Sequence, residues 1–320
     1  MPRGVMHRVL VMPNLKPPVV TTADALAYRE RIMAAKPADL DIEPLMTLYL
    51  TDKTPPEEID AAVDSGAVFA VKLYPNGATT NSDSGVTDYE LVMPTLKRMA
   101  ERGLPLCIHG EVTDPDVDVF EREAVFVRDR LPAVMAAAPG LKIILEHITS
   151  RAAAEFVAAA GDNVAATITP QHLLFNRNEL FRGGLRPHMY CLPILKTEDD
   201  RSALLDAVRS GSPKFFLGTD SAPHARGDKE SDCGCAGIYS AHTALEAYAL
   251  AFERAGCLEL LPAFASSHGA AFYGLPANEG TVRLQRTGAK VPAELDFGES
   301  VVVPFLAGEE LPWVAVAEAE

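Results

Sequence analysis

The sequence predicts an α/β fold of the TIM (β/α)8 type, and three observations carry that expectation. Short apolar runs rich in Val, Ile and Leu alternate with longer stretches rich in Ala, Glu and Arg at helical spacing, which is how strand–helix units that share a parallel sheet are written. The runs are nearly continuous in apolar character, as strands covered on both faces must be. They also end repeatedly in a polar or ionisable residue, and a β/α barrel carries its functional groups at the C-terminal ends of its strands.

The strand runs lie at 9–12, 45–50, 68–73, 104–108, 142–145, 164–168 and 214–217. The helical stretches between them lie at 22–35, 56–64, 88–102, 151–160 and 198–209. Five runs deliver a chemically useful group: Asn14 after VLVMP, Lys72 within VFAVKLY, His109 after LPLCI, His147 after KIILE and Asp220 after KFFLGT. Seven strands are one short of a closed barrel. The chain opens almost directly on a strand, so the absent strand is expected to be the first. From residue 282 onward the runs are shorter, at 300–306 and 312–316. They predict a small β appendage (282–320) on a single domain spanning 1–320.

A chain of 320 residues, 48% of them hydrophobic, can bury a large core. Its net charge of −15 repels nucleic-acid phosphates and anionic membrane surfaces, so neither is expected as a partner. The same charge obliges any site for a small anion to supply its own local attraction. No apolar run reaches the ~18 residues of a membrane span. The opening MPRGVMHRVLVMPNL lacks the small-residue cleavage site of a signal peptide. Five cysteines are an odd count and suggest reduced thiols in the cytoplasm.

Lys72 sits inside an apolar strand, where a buried ammonium is costly and its pKa is expected to fall. A neutral amine can add carbon dioxide and become a carbamate, an anion suited to bridging two metal ions. The alternative is a lysine paired with a buried carboxylate or reaching outward. His109 and His147 each follow an apolar strand; either alone reads as a hydrogen-bonded interior histidine. With Lys72 they form a three-ligand set of the kind a catalytic zinc uses. Glu111 and Glu146 are rival ligands, and strand alternation would turn Glu146 away from the side of His147. Asp220 reads either as the cap of a turn or as a carboxylate that holds a metal and moves a proton, with His224 then facing the substrate as cation or hydrogen-bond donor. The loop 76–82, Asn-Gly-Ala-Thr-Thr-Asn-Ser, reads as a lid carrying hydroxyls or as a surface loop. Cys233 and Cys235 have no second pair at metal-site spacing, so their small-residue loop is read as one whose backbone amides approach a ligand. His172 and His188 are read as structural.

These motifs resemble the bacterial dihydroorotases of the shorter, homodimeric type, within the amidohydrolase superfamily. The resemblance runs from VMPNL at 11–15 almost to Trp313. It includes LMTLYLTD at 45–52, VKLYPNGATTNSDSGV at 71–86, LCIHGEVTDPDVDVFEREAVF at 106–126 and LEHITS at 145–150. It continues through AATITPQHLLFNRNEL at 165–180, GGLRPHMYCLPILK at 183–196 and FLGTDSAPHARGDKESDCGCAG at 216–237. The resemblance implies two zinc ions per subunit bridged by a carbamylated Lys72, with His109 and His147 as ligands and Asp220 as ligand and proton shuttle. It also implies substrate contacts from Asn14, His224, Thr79, Thr80 and the backbones of Leu192 and Ala236. The implied reaction is the reversible cyclisation of N-carbamoyl-L-aspartate to L-dihydroorotate. One departure stands out: members of the family open on a strand with a His-x-His pair followed by an Arg, and no His-x-His occurs in this chain. The expectation is a start placed downstream of that strand. Two alternatives accompany the dihydroorotase reading: another cyclic amidohydrolase of hydantoinase or allantoinase type, and a non-catalytic barrel serving as a binding or assembly partner.

Overall fold

The computed structural model describes residues 5–317, which divide into two compact units. The N-terminal unit comprises residues 6–146 and 159–165. Its strands and helices alternate: β1 (Arg8–Val11), α1 (Thr22–Ala35), β2 (Glu43–Tyr49), α2 (Pro56–Asp64), β3 (Val68–Leu73), α3 (Tyr89–Arg102), β4 (Leu106–Ile108), α4 (Arg122–Asp129), α5 (Leu131–Ala137) and β5 (Ile143–Leu145). The strands pair in parallel and in chain order, with Leu10 opposite Leu45, Tyr49 opposite Lys72, Lys72 opposite Cys107 and Cys107 opposite Ile144. Ile143 donates from its backbone to Asn163 O at 2.8 Å, which brings in the start of the next strand. Leu48, Val71, Leu73, Leu106 and Ile108 are fully buried, as strands covered on both faces require.

Local chemistry sets the helix ends. Thr21 and Asp24 form a reciprocal capping box at the start of α1, satisfying two backbone donors that the first turn leaves open. Glu58 of α2 accepts from both the backbone and the hydroxyl of Thr22 at 2.6 Å, which joins the two helices. In α3 the buried residues Val92, Thr95, Leu96 and Met99 fall at the i, i+3, i+4, i+7 spacing of one helical face. That helix ends at Gly103 with φ 70°, the left-handed stop that glycine adopts without a Cβ penalty.

The C-terminal unit comprises residues 147–158 and the described residues from Ala166 onward. It carries most of α6 (Arg151–Ala159), the second part of β6 (Val164–Ile168), α7 (Pro170–Leu174), α8 (Glu198–Arg209), β7 (Phe215–Leu217), α9 (Arg226–Lys229), α10 (Ala244–Ala255) and α11 (His268–Tyr273). Here β6 and β7 pair in parallel, Thr167 opposite Phe216. Three antiparallel two-stranded pairs follow, formed by β8 (Val282–Gln285) with the last strand, β9 (Ala289–Lys290) with the one before it, and β10 (Leu295–Phe297) with β11 (Ser300–Val302). The partners of β8 and β9 are β13 (Val314–Ala317) and β12 (Glu310–Leu311). Glu246 of α10 fastens this region by accepting from the backbone of Ala315 at 3.1 Å. Among the described residues no helix is long and apolar enough to cross a membrane.

Helix α10 also holds the ends of the two strands beside it. Tyr248 is fully buried, and its hydroxyl lies 2.7 Å from Ile168 O and 3.2 Å from Gly218 O. These carbonyls stand where β6 and β7 give way to loops, and unmet buried carbonyls are costly. Tyr248→Phe should therefore lower unfolding stability by about 1–3 kcal/mol, read from urea denaturation. An unchanged midpoint would show that the carbonyls are satisfied without the hydroxyl.

Candidate active site

In the N-terminal unit the chemistry gathers at the C-terminal ends of β3 and β4. Lys72 and His109 are both 1% exposed. Parallel register places them on neighbouring strands, and the backbone of His109 donates to Leu73 O at 3.0 Å. The Lys72 ammonium lies 5.2 Å from the centre of the Tyr74 ring, a cation–π distance. Tyr74 also packs against Tyr49 at 5.0 Å and against His109 at 6.3 Å between ring centres. Glu111, expected as a possible rival ligand, lies with Oε2 2.8 Å from His109 Nε2. A carboxylate on one imidazole nitrogen fixes the tautomer and leaves the other nitrogen to act as a ligand, which is how metal-binding histidines are commonly oriented.

Asn14 follows β1 and is joined to the 76–82 loop. Its side chain donates to Thr80 O at 3.2 Å, and Asn81 donates back to Asn14 O at 2.9 Å. The loop is closed on itself: Val86 N bonds to Tyr74 O and Asn76 N to Val86 O, while the Ser82 hydroxyl both accepts from Thr79 N and donates to Thr79 O. Gly85 permits the return, because a Cβ there would sit 2.4 Å from Tyr74 O. Asn14, Thr79 and Thr80 are thereby brought together as an ordered, half-buried group.

In the C-terminal unit two candidate ligands share an unusual backbone. His147 has φ 45° and Asp220 has φ 42°, left-handed values that cost energy for residues with a Cβ and that cluster at functional sites. At His147 the chain is no longer extended, so the alternation used to set Glu146 aside does not govern this point. Thr167 holds the turn, its hydroxyl accepting from His147 N at 2.7 Å and its carbonyl from Ile148 N at 3.0 Å. Gly218 makes room for it, since a Cβ at 218 would lie 2.4 Å from Thr167 Cβ. Asp220 is flanked by fixed neighbours: Ser240 donates to Thr219 O at 2.9 Å, and Ala222 N bonds to Ile238 O at 3.0 Å.

His224 meets Ala236 O through Nε2 at 3.0 Å. Burial pushes its pKa below the ordinary value of 6.5, which favours the neutral ring with Nε2–H as donor over the cation. Gly237 must be glycine there, with φ 152° and a notional Cβ only 2.8 Å from the His224 ring. Gly237 N donates to Tyr190 O at 3.0 Å, so the 190–193 segment with Leu192 lies against Ala236. His172 is buried beneath it, with Nδ1 2.6 Å from the Thr169 hydroxyl and Nε2 3.0 Å from Pro193 O. His188 pairs with Glu230 at 2.9 Å. Both histidines thus have structural partners. Cys233 and Cys235 stand 4.0 Å apart through their sulfurs.

Among the described residues no three or more His, Cys, Asp or Glu side chains form a group that could hold a metal ion. Taken unit by unit, the candidate donors are of types that zinc accepts: in the N-terminal unit an imidazole oriented by a carboxylate, in the C-terminal unit an imidazole and a carboxylate on left-handed backbone. Sequence reasoning did not find Tyr74, which packs against His109 and Lys72 in the N-terminal unit, nor Thr167, Gly218 and Lys229, which hold the candidate residues of the C-terminal unit. Lys229 in particular reads as a surface charge within HARGDKESD, yet it is buried.

The model of the Amidohydrolase family matches residues 8–310. A dihydroorotase of Laribacter hongkongensis is 62% identical over 307 residues, 96% of this chain and 89% of that protein. A crystal structure of dihydroorotase in complex with 5-fluoroorotic acid from Saccharomyces cerevisiae superposes with a TM-score of 0.90 at 34% identity, over 99% of this chain and 91% of that one. The dihydroorotase of Campylobacter jejuni gives a TM-score of 0.88 at 34% identity, over 98% and 89%.

The buried His172 makes stability depend on acid. Burial pushes its pKa from 6.5 down to about 3. Between these values the unfolded chain takes up a proton that the folded chain refuses, so this contribution is full above pH 6.5 and is lost as pH falls toward about 3. His172→Gln should flatten the decline of the urea midpoint between pH 6.5 and pH 4. A decline as steep as in the wild type would place the proton uptake elsewhere.

Proposed function

The chain belongs to the amidohydrolase family, and from that premise we propose that it acts as a dihydroorotase, interconverting N-carbamoyl-L-aspartate and L-dihydroorotate. Identity of 62% across 96% of the chain to a dihydroorotase carries this reading, together with dihydroorotase structures that share the α/β barrel fold. It is a hydrolase of a cyclic amide C–N bond.

The residues that would hold zinc are Lys72 as its carbamate, His109, His147 and Asp220. When bound, the metal would lower the pKa of a water molecule and polarise the ring carbonyl. The chain's own groups do the rest. In ring opening the Asp220 carboxylate takes the proton of the attacking water and hands it to the departing ring nitrogen; in ring closure it works in reverse. The left-handed turn at Asp220 presents this carboxylate without strand alternation deciding its direction. The backbones of Leu192 and Ala236 orient the substrate, with the neutral His224 ring beside them, its single N–H held by Ala236 O. Thr79 and Thr80 would contribute from a loop whose internal hydrogen bonds already give it shape, so little ordering entropy is lost on binding, and Asn14, after β1, is tied to that loop. The reading takes the protein as a cytoplasmic homodimer acting on a small molecule, without nucleic-acid or membrane partners.

A spectroscopic assay of dihydroorotate ring opening with the zinc-loaded protein tests the proposal. Asp220→Asn should keep metal yet lower kcat by about 10²–10⁴-fold, the usual contribution of a general acid–base group. A kcat within tenfold of the wild type would remove Asp220 from proton transfer.

The chain's own donors set how much metal these residues can hold. The eight histidines include no His-x-His pair. This chain therefore offers one zinc a set of three ligands, Lys72 carbamate, His109 and His147, while a second zinc would have only the carbamate and Asp220. Two oxygen donors fall short of the three or four that zinc sites use. Metal analysis of the 320-residue chain should find at most one tightly held zinc per chain. Two tight zincs per chain would show that the ligand set extends beyond Lys72, His109, His147 and Asp220.

A further inference from the structure

The loop beyond Asp220 is built around a cation that the mechanism above does not use. Lys229, the last residue of α9, is 3% exposed. Its ammonium donates to three backbone carbonyls, Cys235 O at 2.7 Å, Tyr190 O at 2.8 Å and Gly237 O at 2.8 Å. These occupy all three N–H donors of the group. The face of the Tyr190 ring lies 5.6 Å from Nζ and adds a cation–π contact.

The three carbonyls come from the two segments that carry Leu192 and Ala236. A trans peptide is planar, so its C=O and N–H point in opposite directions. The Cys235 carbonyl and the Ala236 N–H belong to one such peptide. With the carbonyl fixed on Lys229, the N–H is aimed the other way. The next peptide is fixed as well, through Ala236 O on His224 Nε2 at 3.0 Å and Gly237 N on Tyr190 O at 3.0 Å. A cation on an amide carbonyl also draws electron density from the nitrogen, which strengthens the N–H as a donor.

We infer that Lys229 is a positioning residue that aims and strengthens the Ala236 N–H toward an oxygen of the bound substrate. The inference rests on the dihydroorotase reading, in which the Ala236 backbone touches substrate. Burial pushes the Lys229 pKa down to about 8, so the group is still mainly cationic at neutral pH. Arginine is a poor replacement, because its planar fork cannot converge on three carbonyls as a compact ammonium does.

The test uses the 320-residue protein as wild type, Lys229→Met and Lys229→Arg. Two measurements are made on each: the rate of iodoacetamide alkylation at the buried Cys191, which adjoins the Tyr190 carbonyl held by Lys229, mapped by mass spectrometry, and KM and kcat for L-dihydroorotate. In Lys229→Met, alkylation should be faster by about fivefold, because the loop opens more often. KM should rise about tenfold, the scale of one charge-assisted hydrogen bond, with kcat changed less than about threefold. Lys229→Arg should fall between the two on both measurements, and it carries the test if the Met variant does not fold. Wild-type alkylation rates in both variants would overturn the inference. So would faster alkylation with an unchanged KM, which would leave Lys229 a purely structural role. If wild type itself fails to turn over dihydroorotate, the dihydroorotase reading falls separately, and the alkylation rates still decide whether Lys229 holds this loop.

Discussion

Within each unit a parallel ladder brings its strands to their ends at one edge, and each polar group that follows a strand is delivered there. Within the N-terminal unit this places Lys72, His109 and Asn14 at the ends of β3, β4 and β1. Within the C-terminal unit it does the same for Asp220, after β7, while His147 is held against β6 by the Thr167 hydroxyl. The strands can be almost wholly apolar because their chemistry is confined to these ends. That confinement explains how each unit keeps an apolar core and still gathers polar groups at its strand ends.

Much of this was legible. The seven runs became seven parallel strands, five of them shifted by one or two residues at one or both ends, and helices α1, α2 and α8 span the predicted stretches. Helices α4 and α5 were not read, because Pro132 and the charged 121–130 stretch interrupt the apolar period. Helix α10 escaped for the opposite reason. Nine of its twelve residues are buried, so the polar face that makes amphipathic spacing visible is small. The candidate ligands could be picked out because each stands next to a strand, whereas the contacts that hold them could not. Thr167 is an ordinary strand residue until its hydroxyl is seen on His147 N, and Lys229 is one charge among several until it is seen to be buried.

The two left-handed residues show why those supports matter. His147 and Asp220 hold a backbone shape that non-glycine residues resist, and such strain lasts only where neighbours over-determine it. At His147 the neighbour is Thr167, which fills the space left by Gly218. At Asp220 it is the pair of bonds from Ser240 and to Ile238. A side chain at 218 would act on His147 through Thr167 without touching it. Sequence shows the glycine but not the contact that requires it.

The electrostatics raise a last question of sign. A chain with a net charge of −15 works against an anionic substrate at long range, and solvent screens that repulsion beyond about a Debye length. Near Ala236 the balance is local. His224 is held neutral by burial and offers a dipole instead of a charge. The full positive charge belongs to Lys229, which is turned inward onto carbonyls. Placed there it cannot be drawn away into an ion pair with one of the many acidic side chains, as a surface lysine could. It acts through the peptide it polarises, and a backbone amide cannot swing out into solvent. An acidic protein thereby keeps a fixed donor for an anion where a flexible exposed cation would be neutralised by its own surroundings.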